Sequence, residues 1–126
     1  MDGNMGSIDL VHRAIAAGIF GQIQWDDRAD AKARSNPDLL GLTPEIIRRM
    51  LHEFVRGGAK LDERQEERLE WLEANADRPA YYREYWYRAV LAVPDLFPRG
   101  LFIEVRLFDD DSQDPWVEIV NAHPQV

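Results

Sequence analysis

The sequence predicts an α+β fold in which N-terminal helices pack on one face of a small C-terminal antiparallel sheet of about three strands. The first part of the 126-residue chain places apolar residues at helical spacing, whereas the last third alternates aromatic or β-branched residues with polar ones. Helices followed by strands are typical of this class. The length suits one domain, 1–126, and the absence of cysteine excludes disulfide frameworks and thiolate metal sites.

Three helices are predicted before residue 58. In "SIDLVHRAIAAGIF" the apolar residues share one helical face, with Ser7 as the expected N-cap and residues 1–7 as a flexible tail. "WDDRADAKARSNP" predicts a short charged helix that ends before its proline. The third helix is the best defined, because Thr43 can cap it, Pro44 suits its first turn and Gly57 can end it.

Residues 57–80 are predicted to be an insertion that carries an acidic surface helix. Residues 62–77 contain seven acids and two bases, and the turn 109–114 adds four aspartates. Without these two segments the rest of the chain has a net charge of +1, although the whole chain has −8. A solvated surface that confers solubility is the simplest interpretation of the acids, and the remaining surface has room for a basic cleft.

Three strands are predicted in the last third, at "YREYWYRAVLAV", "LFIEVRLF" and "WVEIVNA". In the middle strand, alternation divides the side chains into two faces. One face holds only apolar residues, Leu101, Ile103, Val105 and Leu107. The other is mixed, Phe102, Glu104, Arg106 and Phe108, and is expected to lie open to solvent or to a partner.

The sequence contains no established motif for nucleotide binding, zinc-dependent hydrolysis or a serine nucleophile. The three histidines lack metal-ligand spacing, so we predict neither a metal nor a cofactor. His12 is expected to be hydrogen-bonded at the core boundary and His52 to be solvated. The aspartates 109–111 favour a solvated turn over a cation site. No apolar run is long enough to span a membrane, which predicts a cytoplasmic protein.

The stretch "YYREYWYR" has two interpretations. Tyrosine and tryptophan interleaved with arginine can stack bases and bind phosphates, as in RNA-binding surfaces. Alternation equally predicts an ordinary half-buried strand, with Tyr87 on one face and Trp86 and Arg88 on the other.

The order of elements, with "AAGIF", "LGLTPEIIRRML" and "VEIVNAHP", resembles the MqsR-like toxins of the RelE and barnase-like ribonuclease superfamily. The resemblance covers residues 8–123, with residues 57–80 as an insertion. It implies a metal-independent RNA endonuclease that a cognate antitoxin neutralises. The family's middle strand carries a tyrosine and a lysine where this chain has Phe102 and Glu104, so the resemblance leaves the chain as either an active ribonuclease or a degenerate relative.

The resemblance puts the family's polar first-strand residue near Tyr87 or Arg88 and its basic last-strand residue at His123. Metal-free RNA cleavage needs an acid or base near neutral pH and cations for the phosphate, so we assign His123 to proton transfer and Arg88 and Arg106 to phosphate binding. Tyr87 is a base-stacking or proton-relay candidate. Strict alternation, however, puts His123 on the opposite face from Arg106, so the two converge only if the last strand bends or ends early.

Two other classes of function stay open. The acids of 62–77 and 109–114 fit a non-enzymatic binding module of the inhibitor, immunity or nucleic-acid-mimic type, which would meet a basic partner. A small subunit of a larger assembly would instead expose an apolar patch of Trp86, Phe102 and Phe108.

Overall fold

A computed structural model describes the backbone of residues 4–125 and the side chains of residues 7–125. Of the predicted tail, residues 1–3 lie outside this range, and residues 4–7 belong to the first helix, which corrects that part of the prediction. The helices of the described range are α1 (Asn4–Ala16), α2 (Asp27–Arg34), α3 (Pro44–Arg56), α4 (Leu69–Ala74) and α5 (Ala80–Arg83), with a 3₁₀ turn at Pro37–Leu39. The strands are β1 (Ile23–Trp25), β2 (Asp62–Gln65), β3 (Tyr85–Val93), β4 (Phe97–Asp109) and β5 (Trp116–Pro124).

The fold is α+β, as predicted, but the sheet is larger than expected. It has five strands in the order β1-β5-β4-β3-β2, and it is mixed because β1 runs parallel to β5 while the other pairs are antiparallel. The two missed strands lie at the edges. β1 has only three residues, too few to define a strand pattern, and β2 reads "DERQ" with every side chain exposed and no apolar residue.

One face of the sheet is apolar and carries the core. Leu101, Ile103 and Val105 of β4 are fully buried there, in one cluster with residues of α1 and α3 such as Ile15 and Leu51. The predicted third helix is confirmed: the Thr43 hydroxyl accepts a hydrogen bond from the Ile46 amide, and the helix ends at Arg56. We call this apolar face of the sheet the inner face.

The first helix differs from the prediction at its start, because it begins before the expected cap Ser7. It ends at Ala16, just ahead of Gly18, whose φ of 58° stops a helix. Ile19 consequently lies beyond the helix and is 79% exposed, so it is not part of the core face.

The segment between α3 and β3 lies partly over the opposite, outer face. Residues 62–65 form an edge strand and the following helix covers only Leu69–Ala74, which corrects the prediction of one acidic helix across 62–77. Tyr81 and Tyr82, expected at the start of a strand, belong to the short helix α5. The glutamates of this segment do not form one helical face, because the backbone changes conformation between them.

β5 contains a β-bulge at Val120. Glu104 pairs with Asn121 and Val105 pairs with Ile119, so Val120 is one extra residue on β5. The bulge reverses the alternation beyond it. Ile119 faces inward, and His123, four residues later, faces outward opposite Phe102. The bend that the sequence left open is therefore present, and it lies at Val120.

Candidate functional site

Arg106 lies at the centre of the outer face and is fully buried. Its guanidinium contacts the carboxylates of Glu66 and Glu104, the latter at 3.2 Å, and donates to the backbone oxygens of Tyr82 and Tyr85 at 3.1 Å. Two carboxylates and the carbonyl oxygens satisfy its charge and most of its donors. This corrects the expectation that Arg106 is a phosphate clamp: a substrate has no access to it.

Arg68 completes a buried network of two arginines and two glutamates. Its Nε donates to Glu66 at 2.9 Å and its Nη2 to Glu104 at 3.1 Å. Burial alone would raise the pKa of the Glu66 carboxyl, but the hydrogen bonds from Arg68 and Arg106 outweigh burial and lower the pKa to about 2. Glu104, which departs from the lysine of the resembled family, therefore serves as an acceptor for two arginines.

Aromatic side chains cover this network. The Trp71 ring of α4 lies 3.9 Å from the Arg106 guanidinium carbon, and it stacks on Tyr82 at 6.0 Å between centroids. The Tyr82 hydroxyl donates to Glu118 at 2.6 Å. Burial and the Glu118 carboxylate raise the Tyr82 pKa, so this hydroxyl stays protonated. We call the region of Arg106, Phe108 and Glu118 the covered half of the outer face.

The other half of the outer face is open. Three strands contribute two rows of side chains to it, as the strand register defines. One row is Arg88, Glu104 and Asn121, and the next is Val90, Phe102 and His123. All of these except Glu104 are half-buried. We call this region the open half.

His123 is held with one ring nitrogen free. Its ring stacks on Phe102 at 4.9 Å between centroids and 25° between planes. Its Nδ1 lies 2.9 Å from the Pro124 carbonyl oxygen, which can only accept, so the proton of the neutral ring is on Nδ1. Among the described residues Nε2 has no hydrogen-bond partner, and its lone pair is therefore available to a substrate.

Arg88 points to the same open half from β3. Its Nη2 donates to Asp62 at 3.0 Å and its Nε is buried without a partner within residues 7–125, so a ligand can reach only the part of the side chain, 36%, that is exposed. Asp62 lies on the exposed edge strand, where water screens the ion pair. Arg88 is therefore oriented by Asp62 and can still contact an anion above the sheet.

Tyr87 does not belong to this site. It is fully buried on the inner face, in the core cluster with Ala89 and Leu91. Burial, followed by the nearby charge of Glu63, raises the pKa of its hydroxyl. The structure thus corrects Tyr87 as a stacking or relay candidate: its strand parity turns it toward the helices, away from His123.

The other two histidines are structural. The His12 Nε2 accepts from the Leu61 amide at 2.9 Å, as expected for a boundary histidine, and burial lowers its pKa. His52 was expected to be solvated, but it is buried and its Nδ1 donates to the Ile15 carbonyl at 2.7 Å. Both rings tie neighbouring elements together.

The aromatic residues proposed as an assembly patch are separated. Trp86 and Phe102 meet edge-on at 6.4 Å in the open half. Phe108 lies in the covered half, edge-on to Tyr82 and 5.6 Å from the Arg78 guanidinium. Phe102 belongs to the open half and Phe108 to the covered half, so the three rings do not form one apolar patch.

Sequence reasoning missed the cations that α2 adds beside the open half. Arg28 and Lys32 line a cleft of about 280 Å³ with Arg68, Trp71 and Asn121. Their spacing of four residues, which puts two cations on one helical face, was the available signal.

No family model, curated protein or solved structure matches the chain. In the part of the chain that the structure describes, no helix is both long and apolar enough for a membrane crossing, and no cluster of three or more His, Asp or Glu side chains is arranged to hold a metal ion.

Proposed function

We propose that the chain is a toxin-type RNA endonuclease that works without a metal, and that the open half of the outer face is its active site. The observation that carries this proposal is the bulge at Val120. Because of it, His123 shares the face of Arg88 and Phe102, with Nε2 unpartnered within the described residues.

The chemistry assigns one role to each group. Nε2 of His123 accepts the proton of an RNA 2′-hydroxyl, and the 2′-oxygen attacks the adjacent phosphorus. The bond from phosphorus to the 5′-oxygen breaks and the 5′-oxygen takes a proton from water, while the hydroxide that remains takes the proton held by His123 and restores the neutral ring. The products are a 2′,3′-cyclic phosphate and a 5′-hydroxyl. Arg88 offsets the charge that builds on the phosphate oxygens. Arg68, half-exposed beside Glu104, replaces the buried Arg106 as the second cation.

The similarity to MqsR-like toxins supports the same class, and it adds two features to the proposal. The first is a cytoplasmic site of action on RNA. The second is a cognate antitoxin-like protein that covers the open half and blocks RNA. Phe102 in place of the family's tyrosine removes a hydroxyl, and its ring instead orients His123 by stacking.

Cleavage of a short RNA in the presence of EDTA tests the proposal. We expect the wild type to cleave it and His123→Ala to lose at least about a hundredfold of the rate, as is typical for removal of a general base. Arg49→Ala is the control for a lost surface side chain, since Arg49 is exposed on α3, behind the inner face. A substrate with 2′-deoxyribose at every position should resist cleavage.

Uncut RNA with the wild type, or equal rates for wild type and His123→Ala, would remove the enzyme proposal. Absence of both cleavage and RNA binding would favour the second candidate, a non-enzymatic acidic module that binds a protein. One observation supports that candidate: Glu67, Glu70 and Glu73 are exposed on the segment that covers half of the outer face.

A further inference from the structure

A groove runs along β5 past the open half. One wall is formed by α2 and the 3₁₀ turn that follows it, and the other by β5 and neighbouring strand residues. Two clefts lie in line within it. The first, of about 280 Å³, touches β5 at Val120 and Asn121, and the second, of about 480 Å³, touches it at His123 and Pro124. The proposed general base, His123, lines the second cleft, and it lies two residues along β5 from Asn121 of the first.

The first cleft carries positive charge that its own acids do not cancel. Arg28 and Lys32 are exposed, and within residues 7–125 neither forms an ion pair. Of the two carboxylates in the cleft, Asp26 accepts from the Ala29 amide as the cap of α2, and Glu104 is held by Arg68 and Arg106. An anion that enters this cleft would therefore be attracted by the unpaired cations and not repelled by free carboxylates.

Arg68 adds directed donors to the same cleft. Its Nε and Nη2 donate to Glu66 and Glu104, and these contacts fix the plane of the guanidinium. Its Nη1 has no acceptor in the described part of the chain. A fixed guanidinium with free N–H groups is a good partner for a phosphate oxygen, because little side-chain entropy is lost on binding.

The second cleft is mainly apolar, although the polar residues Asn36, Asp38 and Gln125 also line it. Leu40 is 59% exposed and Leu96 is 39% exposed, and both line it together with Phe97 and Pro98. Leu40 adopts a left-handed conformation with φ of 55°, which costs energy for a branched residue and holds its side chain at the rim of the groove. A flat apolar face fits such a cleft, and a nucleobase presents one.

We propose that this groove is the strand-binding subsite of the chain for single-stranded RNA. The cationic cleft binds the backbone phosphate next to the scissile one, and the apolar cleft takes the face of a neighbouring base. The inference rests on the proposed function, because RNA supplies both a phosphate for the first cleft and a base for the second, whose wall includes His123. A protein segment is the alternative occupant, and it would not need the two exposed cations.

Binding of a fluorescent 2′-O-methyl oligoribonucleotide, which cannot be cleaved, tests the inference by anisotropy across a salt series. Arg28→Gln with Lys32→Gln should weaken binding roughly tenfold at low salt and reduce the slope of log affinity against log salt by about 1.4. Leu40→Asn, which suits the left-handed backbone, should weaken binding without changing that slope. Arg49→Gln with Lys60→Gln, an equal charge change on the helical side, is the control and should match the wild type.

Equal loss in the two double variants would overturn the inference, since it would show that only total charge matters. The failures are distinguishable. A wild type that binds with the predicted variant pattern but does not cleave RNA overturns the proposed function and supports the groove. Cleavage that depends on His123, together with Arg28→Gln/Lys32→Gln binding that equals the control, overturns the groove and leaves the proposed function standing.

Discussion

Glu66 links the covering segment to the sheet. Its side chain is 1% exposed and binds Arg68 and Arg106 at once, so one carboxylate holds two cations that lie on different elements. Removing it would leave the buried Arg106 with a weaker counter-charge, which is far more costly than losing a surface pair.

The low pKa of Glu66 predicts a specific acid sensitivity. The folded-state pKa is about 2 against an ordinary 4.5, so the ionised carboxylate stabilises the fold fully above about pH 4.5 and loses that effect as the pH falls toward 2. The difference corresponds to about 3 kcal/mol. Urea unfolding at pH 7, 4 and 3 measures it. Glu66→Gln should be less stable at pH 7 and vary less with pH than the wild type.

The neighbouring Glu67→Gln is the matched control, because Glu67 is exposed. If Glu66→Gln and Glu67→Gln show the same pH dependence, the buried network does not stabilise the protein as described.

At the scale of single elements, irregular positions in β4 and β5 set the geometry of the open half. Besides the bulge at Val120, the pairing of β3 with β4 shifts between Leu91 and Val93. Gly100 lies beside this shift with φ of 92°, and a Cβ there would be 2.9 Å from the Leu91 carbonyl oxygen. The close backbone approach requires glycine at this position.

Gly100→Ala should therefore destabilise the fold by both strain and collision, by about 3 kcal/mol. Gly58→Ala separates the two causes, because Gly58 also has a positive φ, of 103°, but nothing lies within 4 Å of its Cβ position. We expect that variant to lose only about 1 kcal/mol. Chemical denaturation of both variants measures the difference, and equal losses would contradict the close approach.

The elements that could be predicted from the sequence are those in which several local signals indicate the same structure. α3 has its cap, its proline and its terminal glycine, and β4 alternates apolar and mixed side chains from Leu101 to Leu107. β1 and β2 escaped prediction because an edge strand of a few polar or mixed residues is specified by the strand it pairs with. The bulge likewise depends on the pairing of β5 with β4, because no residue type near Val120 indicates it.

The candidate site also contains residues that local sequence could indicate and residues whose position depends on distant contacts. His123 and Arg88 were assigned to the site from the family resemblance and from residue type, although strict alternation put His123 on the opposite face from Arg106. The bulge in β5 brings His123 and Arg88 to one face. Strand alternation already put Tyr87 on the opposite face from Arg88. Arg106 was not separable from Arg88 by sequence, since burial of Arg106 needs Glu66, forty residues earlier in the chain. Tertiary contacts of that separation leave no periodic pattern.

At the scale of the whole molecule, the sheet separates two environments. The inner face is apolar and packs on α1 and α3, while the outer face is divided between a covered half with neutralised charges and an open half beside cations. The net charge of −8 therefore coexists with a locally basic groove, because many of the acids lie on the covering segment and in the turn after β4. Repulsion between these acids on neighbouring molecules favours solubility, while the electrostatic potential of the groove stays positive.

The central claim is that RNA binds the open half of the outer face. Backbone amide chemical shifts during titration with the uncleavable oligoribonucleotide test it most directly. We expect the largest amide chemical-shift changes at Arg88, Phe102, Asn121 and His123 and along α2, and no change along α1 and α3. Shifts confined to α1 and α3, or no shifts at oligonucleotide concentrations that saturate anisotropy binding, would contradict it.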